Sequence, residues 1–273
     1  MNFKEWCERN YDRPLKTNEL AKGICPAVAK FVYVCLVIFC RVCFRYDVQG
    51  REVLKDIKKK HSGAVIFSNH CSYIEVIMAY ICAMPVQWTR FIGKAPIFEK
   101  ANYFVGWLAS LVGAFPVARD SADLGVVKRA VKDLKNGEFV QIYPEGTRRG
   151  RGSAALRLHS GGTLMARMAK APIIPSACRN ADQVKRKGER LRFKKLTYVY
   201  GQPLYVSDFD FLPKKERLDA CTWYAMRECY ALFYDMEPEQ VDMKNLFPED
   251  QDFTAELAGV VLESRKALPS KED

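Results

Sequence analysis

Histidine is scarce in this chain of 273 residues: there are three. Long apolar runs are scarce too. The most hydrophobic segment, "GICPAVAKFVYVCLVIFCRVCFRY" from Gly23 to Tyr46, is broken by Lys30 and Arg41. Its charge-free core, Phe31 to Cys40, falls well short of the ~20 apolar residues a spanning helix needs. The segment is therefore expected to be an interfacial or hairpin-type anchor, with basic residues reaching toward phosphate head groups. No secretory signal pattern opens the sequence, and most of the ten cysteines, such as Cys35, Cys40, Cys43 and Cys82, sit inside apolar runs. Reduced thiols in a cytosolic setting fit this distribution better than disulfides. Cys40 and Cys43 have the spacing of a redox or zinc pair but lack a second pair or a nearby histidine, so metal chemistry is not expected there. Zinc-finger spacing, aromatic RNA-binding patterns and heptad-linked basic helices are also missing, which speaks against nucleic acid as the partner.

What is present is positive charge. The formal net charge is +11, unevenly placed: Met236 onward carries ten acidic and four basic residues, leaving +17 on the first 235. A cationic body with an apolar, basic N-terminal segment points to an anionic membrane surface.

Apolar runs alternate with helical patterns after residue 50, which predicts an α/β fold with a central, mostly parallel sheet flanked by helices. Strands are expected at Ala64 to Ser68, Thr89 to Gly93, Phe139 to Tyr143, Ile173 to Ala177 and Leu196 to Tyr200. Helices are expected at Tyr73 to Ala83, Leu124 to Lys135, Gly161 to Lys170, Lys214 to Asp235 and Thr254 to Ala267. The organisation read from these patterns is a membrane-associated helical arm (1–50), a catalytic domain (51–235) and an acidic C-terminal tail (236–273).

Four stretches lie at strand ends or in adjoining loops, where α/β folds place ligands. In "NHCSYIE", His70 ends an apolar strand and Glu75 follows five residues later. An imidazole oriented by a carboxylate is a competent general base toward a hydroxyl. The competing reading is local: Ser72 and Glu75 form a capping-box pattern, with His70 merely the loop residue before it. In "GAFPVAR", Gly and Pro flank a short apolar piece that delivers Arg119, whose donor fork suits phosphate or carboxylate. In "YPEGTRR", the amides near Gly146, the Thr147 hydroxyl and the guanidiniums of Arg148 and Arg149 are expected to line an anion-binding concavity, with Glu145 orienting the arginines. The fourth, "APIIPSA", is a strand interrupted by Pro175, fit for an apolar groove or a plain edge.

Read in order, these four stretches resemble the successive motifs of the PlsC-type glycerophospholipid acyltransferases, the 1-acylglycerol-3-phosphate acyltransferase family. The likeness runs over roughly residues 64 to 205 and includes "YVYGQPLYV". It implies transfer of a fatty acyl group from acyl-CoA or acyl carrier protein to the sn-2 hydroxyl of 1-acylglycerol 3-phosphate, giving phosphatidic acid at the cytoplasmic face of a membrane. By the same resemblance, His70 is the base and Glu75 its orienting acid. Arg119 binds the acceptor phosphate, Glu145, Gly146, Thr147 and Arg148 position the acceptor or neighbouring charge, and Pro175 belongs to the acyl-donor side. No metal or other cofactor is implied. One departure stands out: the family's first motif has aspartate four residues beyond the one following histidine, and this chain has Glu75. That leaves two other readings open, an acyltransferase for another lysophospholipid or lyso-aminolipid, and a catalytically silent lipid-binding relative.

Overall fold

The computed structural model describes residues 24–94, 113–117, 124–149, 157–184 and 190–266. Arg119 lies outside the described residues, as does the basic stretch before Gly23.

The N-terminal hydrophobic segment forms one continuous helix, α1 (Ile24–Phe44). Cys40 and Phe44 are buried against the body, whereas Phe31, Val34, Ile38, Phe39 and Val42 are exposed. Among the described residues no helix is long and apolar enough to cross a membrane. The chain then enters β1 (Asp47–Gln49), which pairs in parallel with β7 (Thr197–Tyr200). Sheet structure thus begins inside the stretch read as the N-terminal arm. Gly50 turns the chain into α2 (Arg51–Lys59) with φ +72°, and a Cβ there would stand 2.2 Å from the Tyr200 carbonyl oxygen. Only glycine satisfies both the backbone angle and the close approach.

The core strands are β2 (Ala64–Ser68), β3 (Thr89–Lys94), β4 (Ala114–Val117), β5 (Phe139–Ile142) and β6 (Ile173–Arg179). The sheet order is β1-β7-β6-β2-β5-β3-β4. Every pairing is parallel except β6 with β7. Both faces are covered, which is why the strands read as unbroken apolar runs and not as alternating patterns. Val65 and Phe67 of β2 face the layer formed by α4 (Leu124–Lys135), α5 (Gly161–Ala169) and α7 (Arg217–Tyr234). Ala64 and Ile66 face α1, α2, α3 (Tyr73–Ala83) and α6 (Ala181–Val184). Pro116 is tolerated because β4 is the edge of the sheet among the described residues, with no second described strand that needs its missing amide.

The acidic tail is woven into the core. Val241, Met243, Phe247, Phe253, Leu257 and Leu262 are buried in the layer that holds α7. Among the described residues the tail carries a 3-10 turn at Pro238–Gln240 and two short α-helices, α8 (Met243–Leu246) and α9 (Glu263–Lys266). The helix expected from Thr254 to Ala267 is corrected: residues 254–259 form turns, and Gly259 takes φ +70°, which ends any helical run before Glu263.

Candidate active site

Two parallel neighbours build the site. β2 and β5 are in register at Phe67 and Ile142, so the residues that follow each strand emerge side by side. From β2 come Asn69 and His70; from β5 come Tyr143, Pro144 and Glu145. The His70 and Tyr143 rings lie 4.5 Å apart at 32°.

The two readings of "NHCSYIE" turn out to describe one carboxylate. Ser72 is the N-cap of α3: its hydroxyl accepts from the Ile74 amide at 3.4 Å, and its own amide donates to Glu75 Oε2 at 3.1 Å, closing a capping box. The same carboxylate accepts the Cys71 amide at 2.9 Å and the Cys71 thiol at 2.9 Å, and its Oε1 is hydrogen-bonded to His70 Nδ1. Glu75 is 1% exposed and sits in the first turn of α3, where the helix dipole favours an anion. With Nδ1–H donated to Glu75, the imidazole carries its lone pair on Nε2. That nitrogen has no protein partner among the described residues, and the ring is 17% exposed. The longer glutamate arm therefore reaches His70 while still capping its own helix.

Cys71, next to His70, is no nucleophile. Burial and the Glu75 carboxylate push its thiol far above the ordinary cysteine range, and the thiol donates to that carboxylate.

Glu145, expected to orient the arginines and to position the acceptor or neighbouring charge, points into the protein and meets Arg149. It is buried and its partners are all protein groups: the His70 amide at 2.9 Å, the Tyr230 hydroxyl at 2.9 Å and Arg149 Nε at 3.4 Å. Burial pushes its carboxyl up, and these three donors pull it back. Of the two arginines expected beside Gly146 and Thr147, Arg148 is exposed and Arg149 is half-buried. Arg149 turns inward: its guanidinium donates to the Leu246 carbonyl and lies 4.5 Å from the Phe247 ring, while its amide donates to the His70 carbonyl at 2.5 Å. The Gly146 amide donates to the Tyr143 carbonyl at 2.9 Å, with φ +59° at Gly146 forming the turn. Arg148 remains exposed, its guanidinium 3.6 Å from the centre of the Tyr73 ring, and Thr147 is half-buried beside Gly146. Pro175 lies in β6, an interior strand, opposite Phe67 and buried; its carbonyl accepts from the Gly201 amide at 2.7 Å, which excludes the edge-strand reading. Tyr73 and Tyr230 are parts of the site that the sequence patterns did not single out.

A model of the family described as Acyltransferase matches residues 45–179. The chain is 35% identical over 188 residues to a 1-acyl-sn-glycerol-3-phosphate acyltransferase of Bacillus subtilis (strain 168), a match covering 67% of this chain and 90% of that relative. The chain belongs to the acyltransferase family. A more distant member of the acyltransferases, a lyso-ornithine lipid O-acyltransferase of Rhodobacter capsulatus, is 28% identical over 116 residues, 40% of this chain and 37% of that one. The acyltransferase fold is also seen in the crystal structure of the 1-acyl-sn-glycerophosphate acyltransferase PlsC from Thermotoga maritima. That structure matches at a TM-score of 0.56 and 20% identity, covering 80% of this chain and 83% of that one.

Proposed function

We propose that this acyltransferase moves a fatty acyl group from acyl-CoA or acyl carrier protein to the sn-2 hydroxyl of 1-acylglycerol 3-phosphate, forming phosphatidic acid. The observation that carries the reading is the His70 ring, held at Nδ1 by a buried carboxylate and, among the described residues, unengaged at Nε2.

Nε2 takes the proton of the acceptor hydroxyl as its oxygen attacks the thioester carbonyl, and the imidazolium that forms is stabilised by Glu75. When the tetrahedral intermediate collapses, the thiol leaves with that proton. The thioester supplies the driving force, so neither a metal nor a prosthetic group enters the scheme. Arg148, exposed at the end of the β5 turn, binds the acceptor phosphate, joined by Arg119 on the strength of the family resemblance. The exposed apolar side of α1 and the cationic body bring the enzyme to the cytoplasmic face of the bilayer that holds the acceptor. The bond between Glu75 and His70 favours an active site over the silent reading.

A second acceptor class follows from the lyso-ornithine lipid relative, because the base acts on any suitably placed hydroxyl. Release of CoA thiol from acyl-CoA with 1-acylglycerol 3-phosphate tests the proposal. Substituting His70→Ala is expected to lower the rate by at least about 100-fold. Retained turnover in that variant would refute the mechanism, and a higher kcat/KM with lyso-ornithine lipid would move the acceptor assignment.

A further inference from the structure

Tyr230 lies on α7, 85 residues beyond Glu145 and outside the span matched by the family model. Its phenol nevertheless donates to Glu145 Oε1 at 2.9 Å, the oxygen that also accepts the His70 amide at 2.9 Å. The other main-chain group of His70, its carbonyl, is held by the Arg149 amide at 2.5 Å. Both polar groups of the His70 backbone thus depend on the single turn that carries Glu145 and Arg149. That turn is fixed in its place by residues near the C-terminal end. The Arg149 guanidinium donates to the Leu246 carbonyl and is flanked by the rings of Phe247, at 4.5 Å, and Tyr230, at 5.6 Å.

We propose that Tyr230 and Phe247 are positioning residues for the base: through Glu145 and Arg149 they set where His70 stands, and so the C-terminal region controls turnover. The proposal rests on the reading of His70 as the base.

Simple packing does not account for Tyr230. The side chain is buried beside Phe247 and Tyr234, and phenylalanine would fill that space equally well. What the hydroxyl adds is a donor to a carboxylate that has left water, where a missing partner is costly. Burial and the neighbouring carboxylate push the phenol pKa upward, so it stays protonated and donates. Because the carboxylate oxygen is shared, a shift of Glu145 is a shift of the His70 amide.

The test compares Tyr230→Phe and Phe247→Leu with a matched control, Tyr205→Phe, whose residue is partly exposed before another helix. Two readouts are used: steady-state kinetics, and the ring-nitrogen NMR resonances of His70, assigned by their loss in His70→Ala. The proposal expects kcat to fall between about 10- and 100-fold in the two variants, with KM for both substrates within about threefold and the His70 resonances displaced. Tyr205→Phe should alter neither readout. A lowered melting temperature with unchanged kcat and unchanged His70 resonances would overturn the positioning role and leave Tyr230 a packing residue. Displaced resonances in an enzyme inactive toward every lysolipid would uphold the positioning role and overturn the functional reading beneath it. Phe247→Leu keeps an apolar side chain, so the comparison survives if Tyr230→Phe folds poorly.

Discussion

Glu75 binds Nδ1 of His70 with the same carboxylate that closes the first turn of α3. Shortening the arm by one methylene withdraws the oxygens by roughly 1.5 Å. Glu75→Asp is therefore expected to lower kcat by about 10- to 100-fold, although aspartate is the residue of the family motif this stretch resembles. It should also cost about 1 kcal/mol of stability as the cap loosens. A kinetic comparison alongside urea unfolding checks both; a variant more active than the parent would show that glutamate restrains the site.

Arg148 and Tyr73 form the exposed rim of the site, with the guanidinium stacked 3.6 Å from the ring centre. Arg148→Ala should raise KM for 1-acylglycerol 3-phosphate by about 10- to 100-fold, the loss of a charged hydrogen bond. Tyr73→Leu should raise it by only about threefold, since an exposed cation–π contact is weak. Equal effects on an acceptor without a phosphate would show that these residues do not recognise that group.

Cys71 is expected to be dispensable. Its thiol is held protonated against Glu75, so Cys71→Ala should keep activity within about fivefold, the worth of one ordinary hydrogen bond. Mass spectrometry of enzyme quenched during turnover should find no acyl adduct. An acyl group on Cys71 would replace direct transfer with a two-step mechanism.

Asp133 carries a pH signature unrelated to catalysis. Burial pushes its carboxyl up to about 6 from 3.8, against the pull of Arg90, and its Oδ2 has no hydrogen-bond partner among the described residues. Between those values the folded state holds more protons than the unfolded state. The group therefore supports the fold fully below about pH 4 and loses that contribution as pH rises through about 6. Asp133→Asn should be more stable than the parent by about 1–2 kcal/mol at pH 8, with the advantage gone near pH 4. Unfolding curves at the two pH values decide it; a constant difference would mean that Asp133 does not titrate in this range.

The exposed side of α1 offers a direct test of bilayer contact. Phe31→Glu with Val42→Glu should reduce sedimentation with anionic vesicles by about tenfold or more. The melting temperature should hold, because both side chains are already in water. Undiminished vesicle binding would assign membrane contact to another surface.

Much of this arrangement was legible along the chain, for reasons that can be named. β2 and α3 announce themselves because an apolar run ends directly before a capping pattern, and both signals are local. β1 gave no such signal: three residues with exposed ends acquire strand character only through β7, about 150 residues later. β4 is short and contains Pro116, which reads as a break until its edge position is known. The helix expected after Thr254 failed because the apolar spacing was right while Gly259 adopted a left-handed angle. Arg148 and Arg149 are the same residue type in adjacent positions, and nothing local separates the exposed one from the half-buried one. The Leu246 carbonyl, 97 residues away, makes that distinction. Tyr230 escaped notice for the same reason, since its partner lies on a different strand end.

The contact between Arg149 and the Leu246 carbonyl also has a bearing on synthesis. Every motif of the resemblance is translated well before Leu246, yet the anchor of Arg149 does not exist until Leu246 has left the ribosome. A nascent chain stalled earlier holds His70 but lacks part of its mooring, so the complete setting of that side chain arrives late in translation.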